Sequence, residues 1–107
     1  MDNSKCKETS VAQLETVDFN PVFLLGRVVT TPGAYESVPL FEMLAALDRH
    51  QQGDWGDLCE DDKAENELSL KEGFRILSRY LSKDGVRFWI ITEADRSVTT
   101  ILLPSEY

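Results

Sequence analysis

The chain is poor in the residues that build metal and disulfide scaffolds. Its two cysteines, Cys6 and Cys59, are too few and too far apart for a disulfide framework. No Cys-x-x-Cys or Cys/His cluster is present, so the spacing gives no reason to expect a metal or a cofactor. His50 is the sole histidine. Long apolar runs are missing as well: no stretch nears the roughly eighteen consecutive apolar residues of a membrane-spanning helix. Residues 1–20 hold no apolar run of the signal-peptide kind, which leaves the cytoplasm as the expected compartment. Positive charge is also scarce, since 11 Lys and Arg against 19 Asp and Glu leave a net charge of −8. Phosphate affinity depends on Lys and Arg displacing counterions, so direct nucleic-acid binding is not expected, nor is attachment to an anionic membrane surface. A basic protein partner remains compatible with this charge.

What is present suits one small domain. With 107 residues and 42% hydrophobic content, a single packed core is within reach. Residues 1–20 are rich in Ser, Thr, Asp, Glu and Lys and are expected to be disordered, leaving residues 21–107 as a single α+β domain. The run Val22 to Val29 is β-branched and aromatic and reads as a strand, with Gly26 marking a bulge and Thr31-Pro32-Gly33 a turn. A helix is predicted over about 38–51, with Ser37 as its cap and Pro39 in its first turn. Leu40, Met43, Leu44 and Leu47 make its apolar stripe, with Glu42, Arg49 and His50 largely off it. A second helix is predicted over 58–72, capped by Asp57 with Glu60 three residues on and stopped by Gly73. From Phe74 the pattern turns to three strands, 74–81, 86–93 and 97–103. Asp84-Gly85 joins the first pair and Ala94-Asp95-Arg96 the second. The predicted architecture is therefore two helices packed on a small antiparallel sheet, in the order β-α-α-β-β-β, ending in a three-stranded meander. Phe88-Trp89-Ile90-Ile91 is apolar on both faces, so each side should be covered.

Several strings in the second half stand together. They are Gly53-Asp54-Trp55-Gly56-Asp57-Leu58, Asp62-Lys63 with Asn66, Gly73-x-Arg75-x-x-Ser78-x-Tyr80, and Trp89-Ile90-Ile91-Thr92-Glu93-Ala94-Asp95-Arg96-Ser97 running on to Thr100-Ile101-Leu102-Leu103-Pro104-x-Glu106-Tyr107. The combination resembles a group of small uncharacterised bacterial proteins encoded on plasmids, prophages and integrative elements, over roughly residues 50–107. The resemblance implies a mobile-genetic-element setting and carries no established activity. Some members bear a label linking them to a methylation subunit of restriction–modification systems. This chain is short for a methyltransferase domain and has no Gly-rich nucleotide loop after a strand. Members of the group tend to have a longer segment between the Thr-Pro-Gly turn and the first helix, where this chain departs from them.

Two constellations carry candidate chemistry. His50, Asp54 and Asp57 bracket Trp55 between the helices, where imidazole and carboxylate would serve as base or cation ligands. The plainer assignment, which is favoured, makes Asp57 a cap, has His50 bond the last carbonyls of its own helix, and uses Trp55 as an apolar plug. Glu93, Asp95 and Arg96 meet at a hairpin tip with Arg75 on the neighbouring strand, and the register sets Arg79 opposite Trp89. That tip could hold an anion through arginine, although a self-bonded Asp95 turn with a cross-strand ion pair is favoured. A third feature is the acidic run from Asp54 to Glu67. It would serve as a docking face for a basic partner, as a mimic of DNA phosphates, or simply as a solvated helix face.

The function expected from these features is a non-catalytic accessory protein that binds a protein partner. Trp55, Asp57, Arg75, Asp95 and Arg96 are its candidate ligand- or partner-binding residues. The alternative is a small metal-assisted hydrolase or ligand-binding enzyme, with His50, Asp54 and Glu93 as its catalytic trio. An acidic DNA mimic is the second alternative.

Overall fold

The structure is a computed structural model that describes residues 21–107; the disorder expected of residues 1–20 falls outside the described residues. The elements are β1 (Arg27–Thr30), α1 (Pro32–Ser37), α2 (Leu40–Gln51), α3 (Glu60–Glu72), β2 (Ile76–Leu81), β3 (Arg87–Thr92), β4 (Val98–Leu102) and a closing 3-10 turn (Pro104–Glu106). They form an α+β fold around a four-stranded sheet ordered β1-β4-β3-β2. The C-terminal meander is present, with Trp89 opposite Arg79 and Thr92 opposite Thr99. The sheet itself is mixed rather than antiparallel, because β1 runs parallel to β4.

The first half departs most from expectation. The first strand begins at Arg27, five residues later than the run at Val22 suggests. Gly26 sits at φ +66, and a Cβ there would collide with the carbonyl oxygens of Arg96 and Ser97, so the chain bends where only glycine fits. Upstream of that bend Phe23 is buried in a small cluster with Trp55, Leu58 and Ile76. Thr31-Pro32-Gly33 opens a helix instead of closing a turn. Thr31 Oγ1 accepts from the Ala34 amide, and Pro32 occupies the first helical position, which a proline tolerates. Glu106 completes this cap from the far end of the chain, accepting from Thr31 Oγ1 and from the Gly33 and Leu103 amides. These bonds hold its carboxyl below the usual carboxylate range. Ser37 is consequently the last residue of α1, and α2 starts after Pro39 without a side-chain cap.

One sheet face packs on α1 and α2. Tyr80, Phe88, Ile90 and Ile101 meet Ala34, Val38, Met43, Ala46 and Leu47 there. The opposite face carries Arg79, Arg87, Trp89, Ile91 and Leu102. Ile91 and Leu102 are buried on this face, and among the described residues the cover beside Trp89 is the closing turn and Tyr107, whose ring lies 5.4 Å from the indole.

Helix α3 does not lie on either face. It starts at Glu60 after Cys59, with no side-chain cap, and Asp57 is spent elsewhere. It is mostly polar, with Leu70 packed against the Phe23, Trp55, Leu58 and Ile76 cluster. Leu68 is exposed, and the residues it buries are Asn66 and Ser69. Hydrogen bonds hold it in place of an apolar stripe. Asn66 donates to the Leu77 carbonyl at 2.6 Å and accepts from the Leu77 amide at 3.2 Å. Its last turn ends in left-handed Gly73, as the sequence predicts.

Candidate functional site

His50 faces the core. Met43, Ala46, Leu47 and His50 are the buried face of α2, whereas Leu40 and Leu44 are exposed. The imidazole reaches the strands beneath it. Nδ1 lies 2.6 Å from Ser78 Oγ and Nε2 2.9 Å from Thr92 Oγ1. Thr92 Oγ1 lies 2.7 Å from Thr99 Oγ1, which donates to the Leu25 carbonyl at 2.7 Å. A carbonyl only accepts, so the direction of the whole chain follows. Thr99 spends its proton on Leu25, Thr92 spends its own on Thr99, and His50 donates from Nε2 to Thr92. The neutral ring then accepts from Ser78 at Nδ1. Burial drives the imidazole pKa down to about 3, which keeps this neutral tautomer in place. Ser78 and His50 have the relation of a nucleophile and its base, but both are fully buried, so no substrate atom reaches them.

The other members of the first constellation also hold the fold. Asp54 accepts from Arg49 Nε at 2.7 Å, which lowers its own pKa and raises that of Arg49. Trp55 is buried, stacks on Phe23, and donates from its indole to Glu67. It is therefore a plug, not a surface binding residue. Asp57 pairs through its carboxylate with Arg87 at 3.3 Å.

At the second constellation Arg75 and Glu93 do lie together, at 3.4 Å. Asp95 closes its turn by accepting from the Ser97 amide and hydroxyl. Arg96 is engaged by the backbone. Its guanidinium donates to the backbone carbonyls of Phe74, Glu93, Ala94 and Ser69. It thereby clips the hairpin tip to the end of α3. Glu93 follows β3 on the face that carries Arg75 and Trp89, while His50 lies under the other face and Asp54 is exposed beside Arg49. The proposed catalytic trio does not converge. Among the described residues no group of three or more His, Cys, Asp and Glu side chains is placed to hold a metal ion.

No protein-family model matches the chain, and no curated protein or solved structure shows significant similarity to it. Its own geometry must therefore indicate the site, and the two edges of the sheet differ sharply.

Along β2 the outward backbone groups are all engaged up to Arg79. Leu77 is bonded by Asn66, the Arg79 amide donates to the Trp55 carbonyl, and the Arg79 carbonyl accepts from the Asp57 amide. Gly56 makes this close approach possible. It sits at φ +78 against Arg79, where a Cβ would strike the Arg79 carbonyl. Along β1, Arg27 and Thr31 donate to Ser97 and Ile101 of the β4 side. The parallel register then turns the N–H and C=O groups of Val28 and Thr30 outward. All four residues of β1 are exposed.

An apolar shelf flanks this open edge. Val28, Val29, Thr30, Tyr35, Leu40, Met43, Leu44, Leu47 and Ile101 line a groove of about 140 Å³ between β1 and α2. Tyr35, Leu40 and Leu44 are each more than half exposed, at 67%, 63% and 54%. A larger hollow of about 470 Å³ continues past Tyr35, Leu40 and Met43 and brings the carboxylates of Glu36 and Asp84 to its wall. Sequence reading missed this surface because Leu40 and Leu44, at helical spacing, look the same as core residues.

Proposed function

We propose that the protein is a non-catalytic accessory protein that binds a partner protein by taking up an extended segment of it along β1. Its resemblance to mobile-element proteins supplies the setting. The observation that carries this reading is the contrast between a sealed β2 edge and an open β1 edge beside an apolar shelf. Open edges are aggregation hazards that folds usually blunt with charge, proline or cover. Here one edge is sealed by a helix and a loop, while the other presents backbone groups with no partner among the described residues, next to exposed Tyr35, Leu40 and Leu44. An added strand would satisfy Val28 and Thr30 and cover the shelf with alternate side chains, the usual chemistry of strand addition. The Glu36 and Asp84 carboxylates at the continuing hollow favour a lysine or arginine in the bound segment. On this reading a basic partner docks at α1 and the β2–β3 hairpin instead of at the acidic helix α3.

Selection of random peptides on the immobilised protein tests this. Recovered peptides should alternate β-branched or aromatic residues and carry Lys or Arg at one end. Their binding should shift the Val28 and Thr30 amide resonances and be lost in Leu44→Glu, while Asp61→Lys/Asp62→Lys binds normally. Binders that shift α3 resonances and fail on the α3 double variant would contradict the reading.

A further inference from the structure

The sheet face opposite α1 and α2 holds a second feature that strand addition at β1 does not use. Arg79, Tyr80, Arg87, Trp89 and Pro104 line a hollow of about 370 Å³, within the size range of small-ligand sites. The register sets Arg79 directly across from Trp89, with Arg87 two residues from Trp89 on the same face of β3. In a protein of net charge −8, two guanidinium groups thus gather beside one half-buried indole. Their partners among the described residues are few. Among the described residues Arg79 has no carboxylate within ion-pair distance, Arg87 has only Asp57 at 3.3 Å, and the Trp89 indole N–H has no hydrogen-bond acceptor. Arg75, by contrast, is engaged by Glu93 and by the Tyr107 hydroxyl.

The far wall is fixed in advance. Pro104 belongs to the closing turn, which Glu106 ties to Thr31, Gly33 and Leu103, and Tyr107 packs edge-on against Trp89. The hollow therefore offers a flat apolar surface, a rigid proline wall and two cationic forks. A ligand that matches all three has a planar ring to stack on the indole and one doubly charged oxyanion to accept from the guanidinium groups. The surroundings limit its length. Asp57 and the acidic start of α3 (Glu60, Asp61 and Asp62) belong to the side that carries Arg87's partner, so a polyanion running off that way meets negative charge.

We propose that the hollow between Arg79, Arg87, Trp89 and Pro104 is a binding site for a free mononucleotide, with its base stacked on Trp89 and its phosphate held by Arg79 and Arg87. This goes beyond peptide binding at β1 and stands or falls separately, since the site lies on the other face of the sheet.

The test is a ¹H–¹⁵N NMR titration of the full chain. It follows the Trp89 indole N–H and the Arg79 Nε–H against AMP, adenosine, inorganic phosphate and a short 5′-phosphorylated oligoadenylate. AMP at millimolar concentration should shift both signals saturably, and adenosine and phosphate should each bind more weakly. Arg79→Gln or Arg87→Gln should weaken AMP binding by about tenfold, the effect of losing a charge-assisted hydrogen bond. Asp57→Asn, which frees Arg87, should tighten it. Unchanged amide dispersion will show that these surface variants remain folded. Absence of a saturable AMP shift, phosphate binding as tightly as AMP, equal AMP affinity in Arg79→Gln, or an oligoadenylate that binds far more tightly than AMP would each overturn the proposal.

Discussion

The two edges of the sheet meet the same physical problem in opposite ways. At β2 the outward N–H and C=O groups of Leu77 and Arg79 are taken up by Asn66 and by the backbone of Trp55 and Asp57. At β1 the corresponding groups of Val28 and Thr30 face outward in a strand whose four residues are all exposed. Helix α3 has almost no apolar face and buries Asn66 in its middle, an odd choice for a helix interior unless its side chain serves the strand. The chain can thus close an edge, and among the described residues nothing closes the other.

The largest expected effect lies beneath the sealed side, where His50 joins α2 to β2 and β3. Its folded pKa of about 3 is below its ordinary value of 6.5. As pH falls through 6.5, the unfolded chain takes up a proton that the folded chain refuses. The stability held by this group is complete above pH 6.5 and declines continuously toward pH 3. The slope is about 1.4 kcal/mol per pH unit, so the loss approaches about 5 kcal/mol. Urea unfolding between pH 7.5 and 5.5, above most carboxylate titration, should show wild type losing stability as pH falls below 6.5, and His50→Gln should remove that loss. Next in size is Gly56→Val. A branched side chain at positive φ pressed on the Arg79 carbonyl should cost about 3 kcal/mol or more, read as a lower denaturation midpoint. Asn66→Leu should follow at about 2 to 3 kcal/mol, because it strands both backbone groups of Leu77. It should also promote self-association, since it turns the closed edge into a second open one. Leu44→Glu on the open side should change stability by no more than about 0.5 kcal/mol while abolishing peptide binding. A large destabilisation there would mean that the shelf is core.

These contrasts also show what the sequence could reveal. Local signals were legible. Asp84-Gly85 reverses the chain, Gly73 ends α3, Asp95 bonds its own turn, and Arg75 meets Glu93 across two strands. Each depends on neighbours in sequence or on a register that one hairpin sets. Long-range partners were not legible. The Thr31 cap is completed by Glu106 from the opposite end of the chain, so Thr-Pro-Gly reads as a turn. Ser78 and Thr92 reach His50 from 28 and 42 residues away, and nothing near His50 in sequence announces them. The stripe of Leu40, Met43, Leu44 and Leu47 sets His50 off the core face, whereas the buried face is Met43, Ala46, Leu47 and His50. The same misplacement hid the apolar shelf. Arg96 stands as an anion-ligand candidate in the sequence because its acceptors are backbone carbonyls, which composition does not display.

Amide hydrogen exchange in the free protein tests the difference between the edges most directly. Val28 and Thr30 should exchange at close to the rates of an unprotected chain, while Leu77 and Arg79, equally outward on the other edge strand, should be protected by many orders of magnitude. Matching protection at all four amides would mean that β1 is covered within the protein itself, and the open edge would not exist.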